Sequence, residues 1–162
     1  MTESLRFKVT DYCVKSKKIP EALKGKKIAV LADLHCTHFG KGNRRLFSRL
    51  SMLAPDFIVI AGDLVNGHEA GEFEYATETL EGLKELNIPV YYAYGNHETK
   101  FLLRENNLCA LYDDLIDRSP CKVLRNAGCG LCPGARIYGL ELALGHYNAN
   151  YEPDRGVPDT AS

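Results

Sequence analysis

The sequence lacks the features that mark three common classes of protein. Its 162 residues carry 20 Lys and Arg against 21 Asp and Glu, so the formal net charge is −1. Without an excess of positive charge, neither a nucleic acid nor an anionic membrane surface is expected to be the main partner. No apolar run approaches the ~20 residues of a transmembrane segment, and residues 1–10 lack the apolar core of a signal peptide. We therefore expect a cytoplasmic chain, or a membrane-associated one if an N-terminal anchor has been lost.

The six cysteines do not indicate a disulfide framework, because the chain is long, rich in apolar residues and without an export signal. Scattered, partly buried thiols are the simpler expectation. A small zinc-binding module that uses Cys121, Cys129 and Cys132 remains an alternative, although the two further ligands that a Cys-x-x-Cys pair needs are not clearly placed. Because Pro133 and Gly134 follow directly, a turn is expected there.

Apolar runs alternate with helical patterns along the chain. Residues 26–33, 56–63 and 90–96 are nearly continuous apolar runs, which predict strands that are buried on both faces. Between them, residues 43–56 and 71–89 repeat apolar side chains at helical spacing. This order predicts an α/β fold with a mostly parallel sheet and flanking helices.

The flanking segments have weaker patterns. Residues 5–20 alternate apolar and polar side chains, as a strand with one solvated face would. Residues 98–117 have a helical pattern. Residues 121–126 and 136–142 predict two short strands on either side of the turn-rich segment 127–135.

Side chains that can bind metals follow all three core runs. Asp33 and His35 follow the first run, Asp63 the second, and Asn96 and His97 the third. Each of these side chains alone would be ordinary for a turn or a helix cap. Because ligands bind beyond the carboxyl ends of parallel strands, however, we expect these side chains to share one edge of the sheet. Asp33 and His35 are two residues apart, so on an extended segment both would leave the same side.

Such a set of oxygen and nitrogen groups suits two divalent ions, with Mn²⁺, Fe²⁺, Zn²⁺ or Mg²⁺ as candidates. Asp33 and His35 could hold one ion, Asp63 could bridge, and Asn96 could bind the second. Two ions ~3.5–4 Å apart can clamp a phosphate and activate a water. His97 would then donate a proton to the leaving oxygen or stabilise the transition state.

These residues, in this order, resemble the calcineurin-like metallophosphoesterase superfamily. Asp-x-His at 33–35, Gly-Asp at 62–63 and Gly-Asn-His-Glu at 95–98 carry the resemblance, which runs from about residue 7 to about residue 142. The segments "KIAVLADLHCTHFG", "PDFIVIAGDLVN" and "VYYAYGNHE" are most similar to its bacterial branch of small phosphodiesterases. The resemblance implies a four-layer αββα sandwich and a dinuclear metal site with the ligands named above. It also implies that Glu98 supports those ligands without binding the metal itself, and that the reaction is hydrolysis of small phosphomonoesters or phosphodiesters.

Two departures from the superfamily limit what the resemblance implies. Where the protein-phosphatase branch has an Asp that orients the motif histidine, this chain has Asn66, which can accept a hydrogen bond but carries no charge. The superfamily also uses later histidines as ligands, and after His97 this chain has only His146, a weak candidate for a surrogate ligand. The sequence therefore resembles the N-terminal half of the fold. Residues 1–150 would form a C-terminally truncated domain, and 151–162 a polar, disordered tail.

Three functional hypotheses follow. The favoured one is a metal-dependent phosphoesterase whose turnover is impaired because the later histidines are absent. The second is a catalytically inactive truncated domain of the same fold, and the third is the zinc-binding module. Because half a sandwich leaves one sheet face uncovered, we also expect self-association through that face.

Overall fold

A computed structural model of the chain describes residues 7–67, 71–103, 107–119, 121–142 and 144–147. The strands and longer helices follow one another in this order: β1 (Ile28–Leu31), α1 (Arg44–Leu53), β2 (Phe57–Ala61), α2 (Glu72–Glu85), β3 (Val90–Ala93), α3 (Asn96–Leu102), α4 (Asn107–Arg118), β4 (Cys121–Val123), β5 (Ala127–Cys132) and β6 (Ala135–Gly139). Three short 3₁₀ helices lie at Glu21–Leu23, Lys41–Asn43 and Leu144–Tyr147.

The first four strands form one parallel sheet in the order β1-β2-β3-β4. At least one helix lies between each strand and the next, as crossover connections require. The α/β fold with a mostly parallel sheet and flanking helices is therefore confirmed. Strands β5 and β6 pair separately, as an antiparallel hairpin.

One face of the sheet carries the hydrophobic core. Ile58, Ile60 and Tyr92 on this face are fully buried. Side chains from α1, α2 and α4 pack against them in one cluster. The helical members of that cluster are Leu46, Leu50, Tyr75, Ala76, Leu80, Leu83, Tyr112 and Ile116. The helices therefore pack on one side of the sheet.

The opposite face of the sheet is less covered, above all at its β1 edge. The strand register puts Ile28 and Val30 on this face, beside Phe57 and Val59. Ile28 is 52% exposed and Val30 is 62% exposed, which is unusual for apolar side chains on a sheet. The expected uncovered sheet face is thus present at β1.

The strand that we predicted over residues 5–20 is wrong where it can be checked, because residues 7–20 contain no strand. Tyr12 is 87% exposed and Val14 is 77% exposed. Phe7 packs instead on Phe39, with the two ring centroids 5.1 Å apart. Alternating apolar residues produce a strand only where a neighbouring backbone is available to pair with.

The turn-rich segment 127–135 contains a strand that the sequence analysis missed. Its turn is confined to residues 133–134, where Pro133 and Gly134 predicted one, and β5 occupies most of the rest. A Cβ at Gly128 would lie 2.5 Å from the ring of Tyr138 on the paired strand. Gly128 therefore serves close packing within the hairpin, a role that glycine-rich composition alone does not distinguish from a turn.

The helical prediction over residues 98–117 is confirmed in outline, although it divides into α3 and α4. The predicted tail, residues 151–162, lies outside the described residues. In the part of the chain that the structure describes, no helix is long and apolar enough to cross a membrane.

Candidate metal centre

The loops that follow β1 and β2 are hydrogen-bonded to each other beyond the end of the sheet. Asp33 N donates to Gly62 O at 3.3 Å, and His35 N donates to Asp63 O at 2.9 Å. The two loops therefore continue the pairing of their strands. As a result, Asp33, His35 and Asp63 come to the same edge, as the parallel sheet predicted.

The loop after β1 is not extended, contrary to the assumption made from the spacing of its residues. Asp33 has a φ of 52°, His35 of 44° and Cys36 of 56°, all in the left-handed region. Asp63 has the same kind of conformation, with a φ of 54°. Non-glycine residues adopt this region only when their surroundings hold them there, at a cost of roughly 1–3 kcal/mol each. The interloop hydrogen bonds supply part of that restraint.

Two glycines allow the loops after β2 and β3 to touch. Gly62 has a φ of 83°, and a Cβ there would lie 2.6 Å from the Cα of Gly95. A Cβ on Gly95 would lie 2.2 Å from Oδ1 of Asp63. Both positions need a residue without a side chain, since the backbone of one loop occupies the space beside the other.

Three of the predicted side chains form a compact group. His35, Asp63 and His97 each offer one ligand atom, and these atoms all lie within 4.8 Å of one another. Nε2 of His35 is 3.9 Å from Oδ2 of Asp63. The rings of His35 and His97 meet edge to face, with centroids 4.7 Å apart. Asp33 lies beside this group, with Oδ1 3.7 Å from Nε2 of His35 and a side chain that is 73% exposed.

The chemistry of this group fits a divalent cation. Imidazole nitrogens and carboxylate oxygens are ligands for zinc, iron and manganese. Nδ1 of His35 is buried and has no hydrogen-bond partner among the described residues. A buried ring nitrogen without a partner is unfavourable unless it binds something, because it has lost its water. Asn96 begins α3 directly before His97, on the same edge of the sheet.

A buried carboxylate holds the ligand loops together. Glu98 is 0% exposed. It accepts hydrogen bonds from Asp63 N (2.9 Å), Gly95 N (2.9 Å), Leu64 N (2.7 Å), Val65 N (3.3 Å) and the hydroxyl of Tyr92 (2.8 Å). Both of its oxygens act only as acceptors, as in an ionised carboxylate. Glu98 thus ties the loop after β2 to the loop after β3.

Two tyrosines extend this network away from the edge of the sheet. The hydroxyl of Tyr92 also lies 2.8 Å from that of Tyr112 on α4. Burial, together with the neighbouring charge of Glu98, holds the pKa of both tyrosines well above the usual range. Both hydroxyls therefore keep their protons, and Tyr92 can donate to Glu98 at any ordinary pH.

His97 is oriented by backbone groups and by Asp63. Its Nδ1 lies 2.9 Å from the carbonyl oxygen of Asn66, and its backbone N–H donates to Oδ1 of Asp63 at 3.0 Å. A carbonyl oxygen only accepts, so Nδ1 carries the proton of this bond. The Asn66 side chain, which was expected to face the histidine, donates instead to the backbone oxygen of His35 at 3.4 Å.

One residue near this edge, Glu72, was not predicted from the sequence. Its Oε2 accepts hydrogen bonds from Asn66 N at 2.7 Å and from Gly67 N at 2.6 Å. Its position in the first turn of α2 is ordinary for an acidic residue, since it complements the helix dipole. Nothing in the local sequence therefore distinguished it from the other glutamates of that helix.

The other two histidines in the described part of the chain do not belong to the group. His38 pairs with Glu78 at 3.2 Å. His68 lies outside the described residues, and His146 does not belong to the group of three, although its 3₁₀ helix packs against α3.

The cysteines do not form a second site among the described residues. Cys129 is buried in β5, and Cys121 and Cys132 are partly buried, but no group able to hold a metal contains them. The five cysteines whose side chains are described are free thiols, as expected: Cys13, Cys36, Cys121, Cys129 and Cys132. Burial raises the pKa of Cys36 and of Cys121 to about 11, so both are protonated at neutral pH.

Comparison with known proteins places this geometry in a family. The family model "Calcineurin-like phosphoesterase" matches residues 26–147. A relative from Danio rerio, "Transmembrane protein with metallophosphoesterase domain", is 33% identical over 93 residues, which is 56% of this chain and 21% of that protein. A solved crystal structure superposes with a TM-score of 0.50 at 13% identity, covering 71% of this chain and 52% of its own, which supports the fold alone.

The chain belongs to the calcineurin-like phosphoesterase family. The family is one of metal-dependent hydrolases of phosphate esters, and His35, Asp63 and His97 form a group of the kind that such chemistry needs. The chain spans about a fifth of the length of the curated relative and about half of the solved structure.

Proposed function

We propose that this chain forms a metal-dependent phosphoesterase site that hydrolyses small phosphomonoesters or phosphodiesters. The observation that carries the proposal is the convergence of His35, Asp63 and His97, which come from the ends of three different strands and place their ligand atoms within 4.8 Å of one another. Residues so distant in sequence meet here only because the sheet is parallel.

Each side chain has a proposed role. Asp33 and His35 would hold the first ion, Asp63 would serve both ions, and Asn96 would offer its amide oxygen to the second. When bound, two divalent ions polarise the phosphoryl oxygens and activate water. His97 lies beside the ligands, with the proton on Nδ1 bound to a carbonyl, so Nε2 is the nitrogen left for the reaction. Nε2 would donate a proton to the leaving oxygen from the doubly protonated ring, whereas in the neutral ring it would act as an acceptor.

The number of ligands suggests that the two ions are held unequally. Among the described residues the first ion has three proposed ligands, Asp33, His35 and Asp63, whereas the second has only Asp63 and Asn96. We therefore expect weak binding of the second ion and poor turnover by this chain alone. An inactive domain of the same fold is the second candidate, and the same ligand count favours it.

Metal binding and hydrolysis test the proposal separately. We expect Mn²⁺ binding, measured by calorimetry, to fall at least tenfold in Asp63→Asn. It should be unchanged in Asp114→Asn, a control on the exposed side of α4. Hydrolysis of bis-p-nitrophenyl phosphate with Mn²⁺ then distinguishes the two candidates, because an inactive domain binds metal without turnover. Equal Mn²⁺ affinity in the wild type and Asp63→Asn would refute the metal site.

We also propose that the chain acts in the cytoplasm on small phosphate esters. The name of the Danio rerio relative describes a transmembrane protein, so membrane association through an anchor elsewhere in a longer chain is the alternative. The exposed apolar side chains of β1 support the further proposal that this chain self-associates through its uncovered sheet face.

A further inference from the structure

The contacts of Glu72 concern one peptide group. The N–H of Gly67 and the C=O of Asn66 belong to the same peptide plane. Glu72 accepts from that N–H at 2.6 Å, and His97 Nδ1 lies 2.9 Å from that C=O. The carboxylate and the imidazole are therefore bound to opposite ends of one rigid unit.

This peptide plane could easily turn without the carboxylate. Gly67 has a φ of 73°, and glycine accepts positive and negative φ about equally well, so rotation of the plane between residues 66 and 67 meets little steric resistance. A turned plane would direct its N–H, rather than its oxygen, towards His97. Glu72 opposes that rotation with its short charge-assisted bond to Gly67 N. Its second bond, at 2.7 Å to Asn66 N in the preceding peptide group, holds the carboxylate in place.

The carboxylate also acts on the strength of the bond to His97. A hydrogen bond to the N–H of a peptide group polarises its carbonyl and makes the oxygen a better acceptor. The negative charge of Glu72 thereby reaches the imidazole through the peptide group.

We propose that Glu72 is the positioning residue for His97 and acts through the Asn66–Gly67 peptide group. It fixes the proton of the neutral imidazole on Nδ1 and so directs Nε2 towards the reaction. This inference deepens the proposed function, on which the catalytic value of that orientation rests, but the orientation itself does not require turnover.

Long-range ¹H–¹⁵N spectra of the histidine rings in the metal-free chain, at a pH where His97 is neutral, test the proposal. A His97→Gln variant identifies the signals. In the wild type, Nδ1 should give the shift of a protonated nitrogen. In Glu72→Ala, His97 should change to the tautomer protonated on Nε2, or to a mixture. Glu74→Ala, which alters an exposed glutamate on the same helix turn, should leave the wild-type pattern unchanged.

Glu72→Gln keeps the volume and one acceptor oxygen, so it should fold and retain more of the Nδ1-protonated form than Glu72→Ala. It also covers the case in which Glu72→Ala fails to fold. Amide hydrogen exchange at Asn66 and Gly67 should become at least tenfold faster in both variants. An unchanged tautomer and unchanged exchange in a folded Glu72 variant would overturn the proposal. A wild type without phosphoesterase activity would refute the proposed function and leave this result standing.

Discussion

The buried carboxylate of Glu98 allows the sharpest test of how the site is built. Glu98→Gln keeps the shape of the side chain and replaces one acceptor oxygen with an amide NH2 group, which only donates. If the NH2 group takes the place of Oε2, it faces Asp63 N and Gly95 N, which in the wild type both donate to that oxygen at 2.9 Å. In either orientation of the amide, two backbone N–H groups lose their acceptor.

The expected effect follows from those two bonds. Hydrogen bonds to a charged group contribute about 1.5–3 kcal/mol each, so the substitution should lower the free energy of unfolding by about 3–6 kcal/mol. Domains of this size are stable by about 5–15 kcal/mol, so the loss is a large share of the total. Urea unfolding followed by circular dichroism measures it, because the midpoint should fall while the slope stays the same.

A matched control separates burial from charge. Glu81→Gln removes the same charge from an exposed position on α2 and should change the free energy of unfolding by less than about 0.5 kcal/mol. If Glu98→Gln costs less than about 1 kcal/mol, the five hydrogen bonds do not hold the loops as we argue. In a folded Glu98→Gln, Mn²⁺ affinity should also fall, since the loop that carries Asp63 is released.

Three further predictions concern other parts of the molecule. Gly95→Ala should reduce Mn²⁺ affinity at least tenfold, because its Cβ would lie 2.2 Å from Oδ1 of Asp63, whereas Gly71→Ala, with nothing within 4 Å of its Cβ, should not. Burial raises the pKa of Cys121 from 9.0 to about 11, so between these values the folded state keeps a proton that the unfolded state loses. Between pH 9 and 11 the free energy of unfolding should therefore fall by about 2 kcal/mol more than in Cys121→Ser, as urea midpoints would show. Val30→Glu should lower self-association in sedimentation experiments, since Val30 is 62% exposed on the edge strand, and a wild type that is monomeric at high concentration would contradict this.

The sequence predicted the sheet well because its signals there are strong. Unbroken apolar runs at residues 28–31, 57–61 and 90–93 favour strands, and the helical patterns between them leave parallel pairing as the simple solution. The same logic brought Asp63 and His97 to one edge. The prediction that all three strands are buried on both faces is wrong for β1, where Ile28 and Val30 are exposed. The strand over residues 5–20 failed because a short alternating pattern specifies a face but no pairing partner.

The finer geometry of the site could not be predicted, because it depends on contacts between loops. The left-handed conformations of Asp33, His35 and Cys36 are held by hydrogen bonds to residues 62–64, so the residue types alone do not predict them. Glu72 was missed for the same reason: an acidic residue in the first turn of a helix is common, and only the folded chain shows which amides it binds.

Two glutamates therefore support different parts of the candidate site. Glu98 acts on the loop that carries Asp63, and Glu72 acts on the peptide group that orients His97. Both bond to the loop after β2, but Glu98 accepts from the N–H groups of residues 63–65 and Glu72 from those of residues 66–67. Because the two carboxylates hold different peptide groups, their effects on metal binding and on the His97 tautomer should be separable. Glu98→Gln should weaken both stability and metal binding, whereas Glu72→Gln should mainly alter the tautomer of His97. The double variant Glu72→Gln/Glu98→Gln gives the contrary outcome if it loses only a little stability and keeps the wild-type Mn²⁺ affinity and His97 tautomer. In that case the two carboxylates serve the fold and not the site.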